Sequence, residues 1–468
     1  MLNLTAADAT SGVSEVRLSN DGEWDTEPWE NQTSAKSWAL PLGDGVKTVY
    51  YQIRDNAGLT STAYSDTITI DTVAPVGSIL INGGDTYTAS TSISLTLTAS
   101  DDNSGISQVR FGDDGIWDTE QWETPTSTKS WTLGSGDGLK TVYCQVKDNA
   151  DLTSITYTDT IILDTTAPTG SIIINSDNPY TASTAVTLSL TATDSTSGVY
   201  KIRVSNDGVW ETEEWETPSA TKSWALLSTE GIRTVYYQIM DNTELVSSTY
   251  TDTIILDTSP PQGSIQINDG ALYTNATEVN LALSANDTIS GVSQMRFSNG
   301  NNSWSTWETY TTLKSWTLFS EDGAKQVFFQ VKDKADLISS YNTSITLDVT
   351  KPMAHFGENQ TMIVDSSVAF NASSSTDNMD VVDYLWNFGD GATGTGIAPT
   401  HIYASAGTYS VRLVVHDVAG NSATSSVTVT IVPEFPLALV LAIAAIAAAA
   451  IFLVALLAVR HAKNRMRK

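Results

Sequence analysis

Residues Thr191–Asn242 read TATDSTSGVYKIRVSNDGVWETEEWETPSATKSWALLSTEGIRTVYYQIMDN, and the chain contains four versions of this stretch. The tripeptide Ser197-Gly198-Val199 has counterparts at Ser11-Gly12-Val13, Ser104-Gly105-Ile106 and Ser290-Gly291-Val292, always 93 residues apart. A repeat of this length is too long for a solenoid unit, which needs its neighbours to bury a core. It predicts a self-contained small domain that is repeated in tandem.

Within one repeat, apolar residues alternate with polar ones, as in half-buried strands. Residues 92–99 read SISLTLTA, and residues 141–147 read TVYCQVK. The pattern predicts an all-β fold in which each repeat is an antiparallel β-sandwich. In the second repeat it predicts seven strands, at Ser78–Asn82, Ser92–Ser100, Gln108–Gly112, Ile116–Trp122, Lys129–Leu133, Leu139–Lys147 and Tyr157–Leu163.

The motifs of the repeats resemble those of Ig-like modules in prokaryotic, archaeal-type cell-surface proteins. In the second repeat the resemblance is carried by Arg110, Phe111, Trp117, Trp122, Lys129, Ser130, Trp131, Gly136, Asp137, Gly138, Lys140 and Lys147-Asp148. It covers residues 1–348 and implies four Ig-like modules, at residues 1–71, 72–164, 165–257 and 258–348.

Module 1 begins late relative to the other modules. Leu2 aligns with Leu95, so the module lacks its first strand and half of its second. An open sheet edge of this kind is one that natural proteins avoid. We therefore expect an N-terminally truncated fragment or a misassigned start, with any upstream enzyme or adhesin head outside this sequence.

After residue 348 the sequence pattern changes. Residues 384–391 read YLWNFGDG, residues 401–403 read HIY, and residues 407–413 read GTYSVRL. In this order the three segments resemble the PKD domain. The resemblance implies a further β-sandwich at residues 349–432 with an extracellular spacer or interaction role.

The C-terminus has the pattern of a membrane anchor. Pro433-Glu434-Phe435-Pro436 precedes 23 uncharged apolar residues at 437–459, which is long enough to span a bilayer. Five cations follow in residues 460–468, so the positive-inside rule places this tail in the cytoplasm and the modules outside. The PEF motif, apolar helix and basic end also resemble archaeal sorting signals, which implies processing by a sortase-like enzyme as the alternative to a plain anchor.

Composition excludes some partners. The chain has 53 Asp and Glu residues against 24 Lys and Arg, five of which lie in the cytoplasmic tail. Such an acidic exterior excludes nucleic acid as a natural partner and favours cations at its surface. The single cysteine, Cys144, precludes an intrachain disulfide and is interpreted as a core residue.

The sequence contains no recognisable catalytic motif. H-E-x-x-H, G-x-S-x-G and Walker sequences are all missing, and we interpret the chain as non-enzymatic. Of its four histidines, His401 occupies a PKD position and is expected to be structural. Trp210 and Trp215 would face opposite sides of a strand, and we expect such large rings to fill a small sandwich; the alternative is that one of them is exposed and stacks on a sugar. Trp224 is expected in the core.

We also expect N-linked glycosylation of the exported modules. N-x-S/T sequons predict a glycoprotein, and they occur at Asn3, Asn31, Asn275, Asn286, Asn301, Asn342, Asn359 and Asn371.

Aspartates recur at the ends of strands and in the short, proline-containing joints between modules. In an Ig-like sandwich, two of these loops lie at the end where the chain enters, next to the preceding joint. Carboxylates from both sides of a joint predict sites for Ca²⁺ that would stiffen a rod of modules, whereas the alternative is that each Asp only caps its own turn. The candidate ligands are Asp71, Asp101, Asp102 and Asp148; Asp164, Asp194 and Asp241; Asp257, Asp287 and Asp333; and Asp348, Asp377 and Asp417.

Two functional hypotheses follow from the sequence. The first is a membrane-anchored cell-surface stalk or adhesion-type protein, whose modules act as spacers and bind a surface protein or polysaccharide. The second is the carbohydrate-binding and spacer region of a secreted surface hydrolase whose catalytic domain lies upstream. Fold alone does not separate them.

Overall fold

The computed structural model describes residues 1–300, 303–434 and 436–466. Within them 49% of residues lie in strands and 7% in helix, which confirms the predicted all-β fold class. Five hydrophobic cores follow one another along the sequence, and each predicted module contains one of them. A long apolar helix follows the last core.

The strands are numbered in chain order. Module 1 contains β1 Leu2–Asn3, β2 Val13–Ser19, β3 Glu30–Asn31, β4 Ala35–Lys36, β5 Gly45–Asp55 and β6 Tyr64–Ile70. Module 2 contains β7 Val76–Ile81, β8 Tyr87–Thr88, β9 Ser92–Ser100, β10 Ile106–Gly112, β11 Thr128–Thr132, β12 Gly138–Asp148 and β13 Tyr157–Leu163. Module 3 contains β14 Thr169–Ile174, β15 Tyr180–Thr181, β16 Ala185–Thr193, β17 Val199–Ser205, β18 Thr221–Ala225, β19 Gly231–Asp241 and β20 Tyr250–Leu256.

Module 4 contains β21 Gln262–Ile267, β22 Tyr273–Thr274, β23 Glu278–Asn286, β24 Val292–Ser298, β25 Glu308–Thr309, β26 Leu313–Thr317, β27 Gly323–Asp333 and β28 Ile338–Leu347. The PKD-like domain contains β29 Gln360–Ile363, β30 Ser367–Ala369, β31 Val381–Asn387, β32 Thr393–Thr395, β33 Thr400–Ile402, β34 Gly407–Asp417 and β35 Ser422–Val432. One-turn 3₁₀ helices lie at Asn175–Asp177 and Asn268–Gly270.

Module 2 shows how a repeat folds. One sheet has the strand order β7–β9–β11, and the other has the order β10–β12–β13–β8. Neighbouring strands are antiparallel except for the short edge pair β8–β13, which is parallel. The side chains of Ile93, Leu95 and Leu97 alternate inward from β9 and share one core with Val142 and Val146 of β12.

Six of the seven strands predicted in module 2 are present within two residues of their predicted bounds, but Ile116–Trp122 is not a strand. That segment follows a turn at Gly115, whose φ is +74°, and pairs with β10 only through an isolated bridge at Glu123. Its tryptophans do not alternate into the core but stack on Arg110. The short strand β8 was not predicted because two residues carry no periodic signal.

Cys144 fills the core position predicted for it. It lies in β12 and is fully buried, and burial raises the pKa of its thiol to about 12. The register of β12 places it opposite Phe111, in an apolar environment. A thiol with this pKa is almost wholly protonated at neutral pH and is a poor nucleophile.

Module 1 has a smaller core than its neighbours. Its described residues include no counterpart of β7 or β8, and β6 is exposed along most of its length, whereas β13 is half-buried. A cavity of about 420 Å³, lined in part by Leu18, Tyr51 and Ile68, lies against this core.

The PKD-like domain packs around aromatic side chains. Trp386 and Phe388 are 2% and 3% exposed and point into one core, as their alternation predicts. The chain then turns at Gly389 and Gly391, whose φ values are +88° and +97°. A β-carbon at Gly389 would lie 2.7 Å from the carbonyl oxygen of Ser410, so this turn requires glycine.

Helix α1, Leu437–Arg465, follows the last strand. The segment Ala438–Lys463 is long and apolar enough to cross a membrane. Phe435 of the PEF motif and the tail residues Arg467 and Lys468 lie outside the described residues.

The described chain divides into two compact units. The first consists of Met1–Pro179, Thr184–Ser228 and Ile232–Ile254, and it contains the cores of modules 1, 2 and 3. The second consists of Tyr180–Ser183, Thr229–Gly231 and Ile255–Lys468, and it contains the cores of module 4 and of the PKD-like domain.

Candidate metal centres at the module joints

Twelve of the thirteen predicted aspartates converge in four clusters. Within a cluster, three aspartates each place one carboxylate oxygen within 4.8 Å of the other two. Cluster 1 is Asp71, Asp101 and Asp148; cluster 2 is Asp164, Asp194 and Asp241; cluster 3 is Asp257, Asp287 and Asp333; and cluster 4 is Asp348, Asp377 and Asp417. The thirteenth, Asp102, is exposed and belongs to none of the clusters found in the described residues.

Strand ends place the three carboxylates of cluster 2. Asp194 directly follows β16, and Asp241 is the last residue of β19. Asp164 directly follows β13 of the preceding module. Because these points lie at one end of the sandwich, the chain that enters module 3 brings its carboxylate to the two loop carboxylates.

One oxygen of each loop carboxylate is fixed by backbone N–H groups. Oδ1 of Asp194 accepts hydrogen bonds from the N–H groups of Ser197 and Gly198 at 2.9 and 2.7 Å. Oδ1 of Asp241 accepts one from the N–H group of Leu245 at 3.0 Å. The turn-capping alternative therefore accounts for one oxygen of each carboxylate but leaves the second oxygen unexplained.

The carboxylate from the joint is bonded to the module that follows it. Oδ2 of Asp164 accepts a hydrogen bond from the N–H group of Ser197 at 3.0 Å, and Oδ2 of Asp71 accepts one from that of Ser104 at 3.1 Å. Each serine N–H is also bonded to the first loop aspartate of its cluster. The joint and the loop are thus held together even before a cation is considered.

The second oxygen of several aspartates is buried without a hydrogen-bond partner in the described part of the chain. The same atom is affected in all four clusters, namely Oδ2 of Asp148, Asp241, Asp333 and Asp417. These four residues are 2% exposed or less. A buried charged oxygen without a partner costs more than about 1–3 kcal/mol, so its recurrence at four equivalent positions needs a physical explanation.

Cluster 4 contains two further unpartnered oxygens, Oδ2 of Asp348 and Oδ1 of Asp377. No serine N–H bonds to Oδ2 of Asp348, unlike the joint aspartates of the other three clusters. Instead, the side chain of Asn421 donates to the main-chain carbonyl of Asp348 at 2.8 Å. All three carboxylates of cluster 4 therefore have an uncompensated oxygen.

The carboxylates within a cluster repel one another. Burial, together with the charges of Asp257 and Asp287, raises the pKa of Asp333 above its usual value. Burial, together with the charges of Asp377 and Asp417, likewise raises the pKa of Asp348. The ion pairs found in the described residues lie elsewhere, and none of them includes a cluster carboxylate.

Asp71 of cluster 1 differs from its counterparts. The hydroxyl of Ser104 donates to Oδ2 of Asp71 at 2.5 Å, and this bond is the main reason that the pKa of Asp71 is lowered. In clusters 2 and 3 the equivalent hydroxyls, those of Ser197 and Ser290, are buried and have no hydrogen-bond partner in the described residues. These neutral oxygens belong to residues whose backbone N–H groups bond to the joint and loop aspartates of the same cluster.

The donor set has a definite chemical preference. Each cluster offers carboxylate oxygens, and clusters 2 and 3 add a serine hydroxyl, whereas no His or Cys belongs to the groups found in the described residues. Oxygen-only sites suit hard cations such as Ca²⁺ or Mg²⁺ and do not suit Zn²⁺ or Cu²⁺.

A second acid also fixes each joint, and sequence reasoning missed it. Asp137, in the turn before β12, accepts hydrogen bonds from the hydroxyls of Thr165 and Thr166 at 2.8 and 2.6 Å, which lower its pKa. The same role falls to Asp44, Glu230 and Asp322 in the other modules. The signal available in the sequence was the acid that directly precedes a glycine in each of these turns, at Asp44, Asp137, Glu230 and Asp322.

The paired tryptophans have a different role from the one predicted. Arg203 lies between Trp210 and Trp215, with its guanidinium carbon 4.5 and 4.3 Å from the two ring centroids. The side-chain carbonyl of Gln238 accepts hydrogen bonds from the same guanidinium at 3.0 and 2.6 Å. The two rings therefore face each other across Arg203 and are not on opposite sides of a strand.

The same stack recurs in the other modules. The arginines and their tryptophan pairs are Arg17 with Trp24 and Trp29, Arg110 with Trp117 and Trp122, and Arg296 with Trp304 and Trp307. A sugar could reach only the ring faces that turn away from arginine. Trp224 packs against the core of module 3, as predicted.

His401 lies inside the PKD-like domain and makes structural contacts. Its ring stacks on Phe388 with centroids 4.2 Å apart, and its Nε2 lies 2.7 Å from Oδ2 of Asp390. This supports the structural interpretation of His401.

Seven of the eight sequon asparagines are described, and all seven are exposed, so burial would not prevent a glycosylating enzyme from reaching their side chains. Asn301 lies outside the described residues.

Comparison with known proteins agrees with the C-terminal part of this description. The chain is 41% identical over 70 residues to collagenase ColA of Bacillus cereus, covering 15% of this chain and 7% of that protein. It is 49% identical over 69 residues to a microbial collagenase of Vibrio alginolyticus, covering 14% and 8%. This chain thus spans less than a tenth of the length of either relative.

Among solved structures, the PKD1 domain of the Vibrio cholerae metalloprotease PrtV is 39% identical, with a TM-score of 0.16, and the match covers 18% of this chain and 98% of that one. The family model for the PKD domain matches residues 349–431. The predicted PKD domain is therefore confirmed, and it follows tandem β-sandwich modules.

Proposed function

We propose that this chain is a non-enzymatic, membrane-anchored cell-surface protein whose Ig-like modules and PKD domain act as spacers and interaction surfaces. Helix α1 carries the proposal. It directly follows the PKD domain, and its apolar side chains are exposed, for example Ile451 at 71% and Leu453 at 58%. In water such a surface would be unstable, whereas a bilayer satisfies it.

The orientation follows from charge. Cations cluster after the uncharged residues 437–459, whereas the modules before the helix carry nearly all of the acidic residues. The tail is then cytoplasmic and the modules are extracellular, in a single-pass topology. The division into modules at residues 1–71, 72–164, 165–257, 258–348 and 349–432 is supported by the one hydrophobic core that each contains.

Spacing requires joints that resist bending. Each joint is short, contains proline and is bonded to a neighbouring turn by an acid such as Asp137 or Asp322. Such segments lack the Gly/Ser composition of flexible linkers. The proposed role is to hold interaction surfaces away from the envelope, where they meet a surface protein or a polysaccharide.

Cysteine labelling on intact cells tests the topology. Ser219 in module 3 and Ala462, which follows the uncharged residues 437–459 and Arg460, are both exposed, whereas Cys144 is buried with a raised pKa and gives little background. A membrane-impermeant maleimide should label Ser219→Cys on intact cells but Ala462→Cys only after lysis, with the unchanged chain as the control. Labelling of Ala462→Cys alone on intact cells would overturn the proposed orientation.

The fate of the anchor is a separate question. We propose that α1 is retained as a plain anchor and that a sortase-like enzyme, implied by the PEF resemblance, does not remove it. Mass spectrometry of the mature protein should recover peptides after residue 436. A mature chain that ends near Pro433 would favour processing instead.

The similarity to collagenases and a metalloprotease favours a second candidate. In this alternative the chain is the accessory region of a surface hydrolase, and its modules hold the substrate polymer. Purified chain should then sediment with insoluble collagen or an insoluble polysaccharide, and a chain lacking residues 349–432 should sediment less. A chain that stays in the supernatant with every polymer would exclude this candidate.

A further inference from the structure

We propose that each of the four aspartate clusters binds one divalent cation of the calcium class, and that cluster 4 binds it most tightly. The inference goes beyond the proposed function, because a spacer could be held by protein contacts alone. It concerns what holds successive modules together at each joint, and whether the rigidity of the joint depends on the concentration of free divalent cations.

The first argument is the buried oxygen that recurs in every cluster. In cluster 2, Oδ1 of Asp241 is fixed by backbone N–H groups, so the carboxylate cannot rotate to offer Oδ2 to another donor without losing them. Oδ2 has no partner and its residue is fully buried. The nearest groups that the cluster offers it are the carboxylates of Asp164 and Asp194. A cation among the three would satisfy this oxygen and offset the repulsion.

The second argument is spacing. One Ca²⁺ binds oxygens at about 2.3–2.6 Å, so any two of its ligands lie within about 5 Å of each other. The oxygens of each cluster meet this condition, since all lie within 4.8 Å of one another. Three protein carboxylates leave three to five positions for carbonyls, water or, in clusters 2 and 3, the hydroxyls of Ser197 and Ser290.

The third argument is the fourfold recurrence across two kinds of module. Clusters 1 to 3 are built by repeats of one sequence, but cluster 4 is completed by Asp377 and Asp417 of the PKD domain. In both contexts a joint aspartate meets an aspartate at the end of a long strand, Asp333 of β27 or Asp417 of β34. Turn capping alone would not require the unpartnered oxygen to recur in both folds.

The clusters differ in how much of their charge is already compensated. In cluster 4 three oxygens are buried without partners, whereas cluster 1 has one such atom, and there the Ser104 hydroxyl also bonds to Asp71. A cation entering cluster 4 replaces no existing hydrogen bond. Because one hydrogen bond to a charged group is already worth a factor of about ten or more in affinity, cluster 4 should bind at least about tenfold more tightly than cluster 1.

Calcium binding to the metal-free full-length chain in detergent tests the inference. We expect calorimetry to count four ions per chain, with the tightest class lost in Asp417→Asn and retained in Asp241→Asn, each of which should bind three. Both asparagines keep Oδ1 for the backbone bonds. Asp102→Asn is the matched control, because Asp102 is exposed and outside the clusters, and it should still bind four.

Near-UV circular dichroism checks that each variant is folded, and Asp377→Asn provides a half-buried substitution in cluster 4 should Asp417→Asn fail to fold. An absence of calcium binding at millimolar concentration, or a count of four in Asp417→Asn and Asp377→Asn, would overturn the proposal. Four equal affinities would overturn the ranking, and tighter binding of Mg²⁺ than of Ca²⁺ would overturn the calcium class. None of these results bears on the membrane topology, which the labelling experiment tests separately.

Discussion

We expect Asp333→Asn to stabilise module 4 in a chelator and to destabilise it in excess calcium. In the absence of a cation, Asp333 faces the carboxylates of Asp257 and Asp287, and all three offer oxygens within 4.8 Å of one another. At this separation and an effective dielectric constant of 20, each like-charge pair costs about 3 kcal/mol. Asparagine removes both pairs.

The net gain is smaller than the sum of these repulsions. The amide oxygen can keep the bonds from the N–H groups of Ala335 and Leu337, at 2.8 and 2.9 Å, but neutral bonds are weaker than charged ones. Allowing for that loss, we expect about 1–3 kcal/mol of stabilisation in chelator, which raises the melting temperature of a domain this size by roughly 5–15 °C.

Calcium should reverse the sign. A ligand at a thousandfold excess over its Kd stabilises the folded state by about 4.1 kcal/mol, which is more than the gain expected in chelator, and Asp333→Asn would lose most of that contribution. Scanning calorimetry of the full-length chain, with calcium and with chelator, measures both arms.

The matched control is Asp336→Asn. Asp336 lies in the same loop, is exposed and pairs with Lys332 at 2.8 Å outside the cluster. An exposed pair of this kind contributes about 0–1 kcal/mol, so the control should change little in either condition. If Asp333→Asn destabilised module 4 equally with and without calcium, the carboxylate of Asp333 would stabilise the metal-free protein. That result would contradict the predicted repulsion among the three carboxylates.

Three further predictions follow from the same structure. The pKa values of Asp333 and Asp348 are raised in the folded protein, so folding favours the neutral forms of these carboxyl groups. In chelator, module 4 and the PKD domain should therefore become more stable as the pH falls from neutrality through the raised pKa values. Melting temperatures measured across this pH range check the prediction, and a loss of stability over the range would refute it. Arg203→Ala should destabilise module 3 by about 2–3 kcal/mol, because the contacts with the two tryptophan rings and the hydrogen bonds to Gln238 are lost. Lys201→Ala on the same strand should cost little when both variants are unfolded with denaturant. Equal losses of stability in the two variants would contradict the role of the stack. Gly170→Ala should cost more than about 2 kcal/mol, because its β-carbon would overlap the carbonyl oxygen of Thr191, whereas a β-carbon at Gly134 meets nothing within 4 Å, so Gly134→Ala should cost little. A neutral Gly170→Ala would show that β14 shifts freely.

Sequence periodicity was sufficient for most of the fold. Strands such as β9 and β13 have long alternating runs, and their predicted bounds match the structure. The segment Ile116–Trp122 was mistaken for a strand because its apolar residues were assigned to the core, whereas Trp117 and Trp122 pack on Arg110. A cation–π stack of this kind has no periodic signature.

The aspartate clusters were predictable for a different reason. The repeat fixed which loops carry acid, and sandwich topology fixed which loops share an end, so convergence followed without knowledge of side-chain geometry. Asp102 was included because sequence cannot distinguish it from its neighbour Asp101, although only the latter turns inward. The unpartnered oxygen of Asp417 could not be predicted, because it depends on which of two oxygens the backbone N–H groups occupy.

The distance between modules 2 and 3 tests most directly whether a cation holds successive modules in place. Spin labels at Thr132→Cys and Ala225→Cys occupy equivalent exposed strand ends, and Cys144→Val removes the native thiol. In the full-length chain we expect one narrow distance distribution with calcium and a broad one with chelator, with Asp241→Asn broad in both. Distributions that are the same with and without calcium would contradict a cation-dependent joint.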